Sequence, residues 1–338
     1  MPRIFALGAF ALGTLVRPTL ALLVCAAIPF AAAAADSSPH CDRGCLVSVL
    51  DRYLQAVIEH DPAAAPLSDA YRETENAINV PRGEGVWRSV TALGPVQRRY
   101  ADPVSEQVAY FGIVHEGGAL AIVTFRLRVE TGAGDARTAG AQGPAVTEAE
   151  WYVARNGDPG LPGAKPPNVW NPPGLIAHPP PQRTLPQNER VPRRTLIAIV
   201  NSYYDAIVSH DGRVAHARRG CNRYENGTRV TGRRGGRNDD CVSGFEHFNL
   251  ANVVARRVPL VDEEAGMVLG LGVFIRRPGS PVPRNAFSEW FEIGSDGIRD
   301  IWTAMYYPGP QRPVPNWPPY DGNFPLPAGT IPATPGNK

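Results

Sequence analysis

Residues 46–80 align with residues 196–230 without a gap at an offset of 150, and this repeat constrains the fold more than any other feature of the chain. The identities are Leu46/Leu196, Tyr53/Tyr203, Ala56/Ala206, His60/His210, Asp61/Asp211, Ala65/Ala215, Glu75/Glu225, Asn76/Asn226 and Val80/Val230. Nine matches in 35 positions compare with about two expected from ordinary composition. A repeat of this length predicts one small unit built twice, and 338 residues are enough for two such units with a core each.

Within each copy the apolar residues recur at helical spacing. Leu46, Leu50, Tyr53 and Val57 form one stripe, and Leu196, Val200, Tyr203 and Ile207 form the other. Both helices are expected to stop at His60-Asp61 and His210-Asp211, where the aspartate can cap a second short helix. Runs rich in β-branched and aromatic residues follow at 108–114, 120–129 and 148–154, then at 253–261, 267–275, 288–293 and 298–306. Helices followed by a meander of long strands predict an α+β class: two cone-shaped modules, each a curved antiparallel sheet wrapped on helices around a pocket. The modules are expected at 41–156 and 194–308, separated by a proline-rich linker at 157–193 and followed by a proline-rich tail at 309–338. Trp170, Trp317 and Tyr320 in these stretches predict that parts of them dock onto a module.

Residues 1–35 read as a signal peptide, with Arg3, an apolar run and a small-residue cleavage region near Ala35. An uncleaved anchor is the competing reading, and no later segment is apolar enough to cross a bilayer. Export to a periplasmic or secreted location leaves Cys41, Cys45, Cys221 and Cys241, an even set in a compartment that permits disulfides. Three connectivities are open, and the local pairs Cys41–Cys45 and Cys221–Cys241 are the simplest. A CxxxC spacing and a 20-residue spacing form no zinc pattern, so no metal is expected. A net charge of +2, evenly mixed, argues against nucleic acid. No nucleotide-binding glycine fingerprint, HxxxH pair or GxSxG elbow appears, and no cofactor is expected.

The order of elements resembles the nuclear transport factor 2-like superfamily, which includes the SnoaL-like cyclases and ketosteroid isomerase. TENAINVPRGEGVW, YENG and FSEWFEIGSDGIRDIWTAMYYPGP are similar to segments of a secreted double-module family of unknown function. RYLQAVIEHDPAAAPLSDAYRETEN is similar to the stretch of ketosteroid isomerase in which a helix tyrosine serves an oxyanion and a carboxylate moves a proton. That resemblance implies Tyr53 and Tyr203 as oxyanion donors. It places the carboxylates near Thr74 and Glu75, and near Tyr224 and Glu225.

Each of these residues also has a structural reading. Tyr53 and Tyr203 lie on buried stripes and could be core tyrosines bonded to a carbonyl. Glu75-Asn76 and Glu225-Asn226 could hold a base at the pocket mouth, or could pin a turn. His60 and His210 suit the ends of helices better than catalysis. Arg72 and Arg223 could orient an anionic ligand or pair with nearby glutamates. Trp87, Trp151, Trp290 and Trp302 could line a pocket or fill a core. The function expected is a pocket for a small apolar or aromatic molecule, with cofactor-independent lyase, isomerase or dehydratase chemistry by Tyr/Glu proton transfer. The alternatives are a non-catalytic binding module and a structural pseudo-dimer, monomeric or assembled into homo-oligomers.

Overall fold

A computed structural model describes residues 40–131, 143–160, 169–232, 239–282 and 284–308. The signal-peptide region, the proline-rich tail with Trp317 and Tyr320, and residues 161–168 of the linker lie outside the described residues.

Asp42 opens the first helix, α1 (Arg43–Ile58), by accepting a hydrogen bond from the Cys45 N–H at 2.9 Å, and a Cys41–Cys45 disulfide closes the same turn. Leu46, Leu50, Tyr53 and Val57 are all buried, as the periodicity requires. The strands of the first half are β1 (Leu67–Glu75), β2 (Ile78–Val80), β3 (Ala92–Asp102), β4 (Gln107–Glu116), β5 (Ala119–Glu130) and β6 (Ala145–Arg155), with a single-turn helix α2 (Val86–Ser89) before β3. They form one sheet in the order β2-β1-β6-β5-β4-β3. After a short helix α3 (Pro172–Ala177), the second half repeats this arrangement. Helix α4 (Arg193–Ser209) precedes β7 (Ala217–Glu225), β8 (Thr228–Arg229), β9 (Leu250–Asp262), β10 (Met267–Arg276), β11 (Asn285–Gly294) and β12 (Gly297–Met305), ordered β8-β7-β12-β11-β10-β9.

The sheets are mixed rather than wholly antiparallel, because β1 runs parallel to β6 and β7 runs parallel to β12. The expected second short helix is a turn at 62–65 in the first half and a 3₁₀ turn at 212–214 in the second, the latter capped by Asp211. Strand β3 carries Gly94-Pro95 and Arg98-Arg99, and so gave no alternating signal. The linker does more than extend over the surface. Asn171 caps α3 through the Gly174 N–H at 3.1 Å, and Leu175 of α3 is fully buried.

Each sheet packs one face on its own helix, α1 or α4. The opposite faces join in a single core where Tyr100, Phe111, Ile122 and Tyr152 meet Leu260, Leu269, Trp290 and Trp302. The Trp290 indole N–H donates to Thr124 Oγ1 across this interface at 2.8 Å. The seam is reciprocal. Arg43, the first residue of α1, forks onto Asp262 at the end of β9, with bonds of 2.7 and 2.9 Å, while Arg193, the first residue of α4, reaches Asp102 at the end of β3 at 2.7 Å. Asp262 also accepts from the Ala101 N–H at 3.1 Å, and Asp102 from the Val261 N–H at 2.9 Å. The contact therefore has the self-complementary form of a two-fold interface, made within one chain.

At its centre lies a buried ionic knot. Glu150 accepts two bonds from Arg257, both 2.9 Å, and two from Arg126, 2.8 and 3.1 Å. Arg126 also reaches Glu148 at 2.6 Å and Gln107 at 2.8 Å. The second disulfide, Cys221–Cys241, together with the first, is compatible with a secreted protein. Among the described residues no helix is long and apolar enough to cross a membrane.

Candidate functional site

The inner face of the first sheet is filled with aromatic rings. Strand register places Tyr110 on β4, Phe125 on β5 and Trp151 on β6 side by side, with Glu75 of β1 next in the row. Phe125 stacks on Trp151 with centroids 3.8 Å apart and on Tyr110 at 5.6 Å, and Tyr53 of α1 closes over Phe125 at 5.8 Å. Trp87 of α2 packs edge-on against Tyr53 at 5.2 Å. The polar atoms in this interior form a chain. Trp151 Nε1 donates to the Tyr53 hydroxyl at 3.1 Å, which bonds the Tyr71 hydroxyl at 3.0 Å, and Tyr71 and Trp87 both donate to Glu73 Oε2, at 2.8 and 2.7 Å. Burial pushes the Glu73 carboxyl up to about 8, against the pull of those two donors.

The same row in the second sheet holds different residues. Gly270 on β10 pairs with Glu289 on β11, Glu289 with Thr303 on β12, and Thr303 with Glu225 on β7. Gly270 thus stands where the first half has Tyr110, Glu289 where it has Phe125, and Thr303 where it has Trp151. At the offset of 150, Arg223 takes the place of Glu73. Three large rings have been exchanged for a glycine, a carboxyl and a hydroxyl; the Tyr204 hydroxyl and the Phe291 ring crowd over Gly270, while Glu289 borders a cavity of about 350 Å³. That lies within the range of small-molecule sites, roughly 300–1,000 Å³.

Side chains from α4 and from β7, β9, β10, β11 and β12 line the cavity, Met305 coming from β12. Tyr203 and Ile207 come from α4, Arg223 and Glu225 from β7, Glu289 from β11, and Phe274 and Arg276 from β10, with Phe248 and Leu250 at the start of β9. The Cys221–Cys241 disulfide ties the segment before β9 to β7, and the Cys241 carbonyl accepts from Arg223 Nη1 at 3.1 Å. Arg223 is buried and also donates Nε to Glu225 at 3.1 Å and Nη1 to the Tyr203 hydroxyl at 3.3 Å. Because that hydroxyl accepts from a guanidinium, its own proton is left for another acceptor. Burial opposes the Arg223 charge, but Tyr203, Glu225 and Glu289 outweigh it and hold the guanidinium cationic.

Glu289 is the feature the sequence reading missed. It is only 2% exposed, and its Oε2 has no hydrogen-bond partner among the described residues, although the Tyr204 hydroxyl lies near enough to favour the carboxylate. Burial raises its carboxyl to about 8, with Arg223 pulling the other way. The signal for it lay in β11. Phe287, Glu289, Phe291 and Ile293 alternate onto the inner face, so a lone acid interrupts an apolar stripe.

The residues singled out in the sequence divide accordingly. Tyr203 and Glu225 line the cavity, bridged by Arg223, whereas Tyr53 is enclosed by rings. Glu75 is held by Arg155 Nη1 at 2.7 Å, which also grips Glu116 at 2.7 and 2.8 Å. Neither Asn76 nor Asn226 lines the cavity. Both occupy the first position of a two-residue hairpin turn with positive φ, 52° and 44°, a conformation asparagine tolerates. Each clamps the neighbouring strand with its amide: Asn76 on Val153 at 2.9 and 3.2 Å, Asn226 on Met305 at 2.7 and 2.8 Å. The turn-pinning role therefore accounts for the repeated asparagines, and Glu75 and Glu225 end strands rather than follow a helix.

Arg72 is half exposed and pairs with Glu148 at 2.6 Å, away from the cavity, because β1 alternates it onto the opposite face from Glu73. Trp87 fills the first interior, Trp290 lies in the inter-sheet core, and Trp302 stacks on Tyr224 at 5.7 Å while donating to the His178 carbonyl at 2.9 Å. None of these three lines the cavity. His60 and His210 sit just past their helices with positive φ, and each bonds a backbone carbonyl through Nδ1, of Trp87 at 2.5 Å and of Phe245 at 3.0 Å.

The two raised carboxyls make stability depend on pH in an unusual sense. A carboxyl whose folded pKa lies above its unfolded value binds its proton more tightly in the native state, so its contribution is complete below pH 4.5 and is lost as pH rises through about 8. Stability is expected to fall over that window by on the order of a few kcal/mol per group. Urea midpoints measured at pH 5 to 9 check this, and Glu73→Gln should flatten the slope. An unchanged slope in that variant would remove Glu73 from the account.

A family described as a domain of unknown function (DUF8021) matches residues 189–305, which contain α4 and all six strands of the second sheet. No curated protein matches the chain.

Proposed function

We propose that the second half of this protein holds a small molecule in the cavity between α4 and its sheet, and that it moves a proton on that molecule without a cofactor. The observation that carries this reading is the buried Glu289, its Oε2 without a hydrogen bond among the described residues, in the wall of one cavity with Tyr203 and Arg223. A carboxyl with a pKa near the working pH suits a general base. The Tyr203 hydroxyl, polarised by Arg223, suits the oxygen on which charge develops. Glu225 then keeps Arg223 in place, and isomerase, lyase or dehydratase chemistry all require such a pair.

The identical strand order, the repeated Tyr53/Tyr203 and the paired asparagine clamps support an origin by duplication of a nuclear transport factor 2-like module. In this reading the first half has become a scaffold, and the protein works outside the cytoplasm as a single-chain pseudo-dimer. The test is native mass spectrometry of the protein recovered from its own host, followed by deuterium exchange of the retained molecule in D₂O. Exchange at an acidic C–H with wild type and its loss in Glu289→Gln are expected. A retained molecule that exchanges equally in both would leave binding and remove the chemistry.

A further inference from the structure

Two arginines and two glutamates line the cavity, but only Arg223 and Glu225 form an ion pair with each other. Arg276, on the next wall, has no carboxylate within ion-pair distance among the described residues. Its Nη2 donates to the neutral Asn285 Oδ1, its guanidinium lies 5.6 Å from the centre of the Phe274 ring, and its buried Nε has no partner. Burial lowers its pKa, and the nearby Tyr307 and Glu225 offset that only in part. A partly buried guanidinium without a partner anion is costly. Around it Phe274, Leu250, Phe248 and Ile207 supply apolar surface.

We propose that the molecule bound here is an organic carboxylate with an apolar, ring-sized body, its anionic group seated on Arg276 and its body against Phe248, Leu250 and Phe274. This rests on the reading of the cavity as a small-molecule site and adds the chemical class of its occupant. A planar guanidinium fork suits a carboxylate. Seating the anion on Arg276, and not on Arg223, leaves Tyr203 and Glu289 free to act on the body of the molecule.

Isothermal titration of the full chain with sodium 2-naphthoate and with 2-naphthalenemethanol, which share one ring system and differ in charge, tests the assignment. The carboxylate should bind about tenfold more tightly or better, the gain of one charge-assisted contact. Arg276→Gln should abolish that preference and leave the alcohol's affinity in place, while Arg276→Lys should keep part of it. Equal or tighter binding of the alcohol by wild type would overturn the carboxylate and leave the small-molecule site standing. A preference that survives Arg276→Gln would overturn the seat on Arg276. Binding of neither compound to the folded chain would overturn both readings, and the wild-type comparison decides even if Arg276→Gln does not fold.

Discussion

Glu150→Gln is expected to destabilise the protein by about 3–5 kcal/mol, the cost of breaking a buried ion pair from one side. The carboxylate is 4% exposed and is the shared partner of Arg126 and Arg257, which come from different halves. Glutamine keeps the shape and loses the charge, so Arg257 remains in the seam without its carboxylate and Arg126 keeps only Glu148. Burial by itself would raise the Glu150 pKa, but the two arginines overcome it and hold the carboxyl at about 2. Its stabilisation is therefore complete above the unfolded value near 4.5 and is lost as pH falls through about 2. Urea unfolding at pH 7 reads the effect as a lower midpoint at similar slope. A change below about 1 kcal/mol would show that the knot contributes little, and replacing all three residues by apolar ones should cost far less than replacing one.

Glu289→Phe copies one ring of the first half's stacked pair into the second, and should abolish ligand binding while making the protein more stable. The variant puts a ring into the cavity of about 350 Å³ and removes a buried carboxyl that has an unbonded oxygen. Cavity filling of this kind commonly adds about 0.5–2 kcal/mol per site. Thermal unfolding checks the gain and titration with 2-naphthoate checks the loss. Lower stability with binding intact would mean that the two interiors are not equivalent and that the ligand lies elsewhere. A protein that is more stable and empty is the expected sign of a site kept open against the interest of the fold.

Much of this architecture was legible because periodicity records which face is buried. The α1 and α4 stripes and seven strand runs follow from spacing, and the disulfides are the local pairs, the simplest of the three connectivities it left open. What spacing cannot record is which strands become neighbours when their connection is not a hairpin. The parallel β1–β6 and β7–β12 pairs join segments far apart in the chain, and they decide that Glu225 and Thr303 stand in one row with Glu289. The repeat itself drew attention to the residues both halves keep. Asn76 and Asn226 were kept for a turn, and His60 and His210 for helix ends, whereas the cavity wall joins the kept Tyr203 and Glu225 to residues that changed. Glu289 and Arg223 differ from their counterparts, so a search for identities passes over them.

The reciprocal clasp between Arg43 and Asp262 and between Arg193 and Asp102 also imposes an order on synthesis. A chain emerging from its N-terminus presents α1 some 219 residues before the aspartate that its first arginine requires. The first sheet meanwhile exposes the face that only the second can cover. The N-terminal half is therefore expected to stay incompletely folded until most of the polypeptide has been made, when long-range contacts close together. A chain released before Asp262 has been made would lack both the partner of Arg43 and the cover of its own sheet.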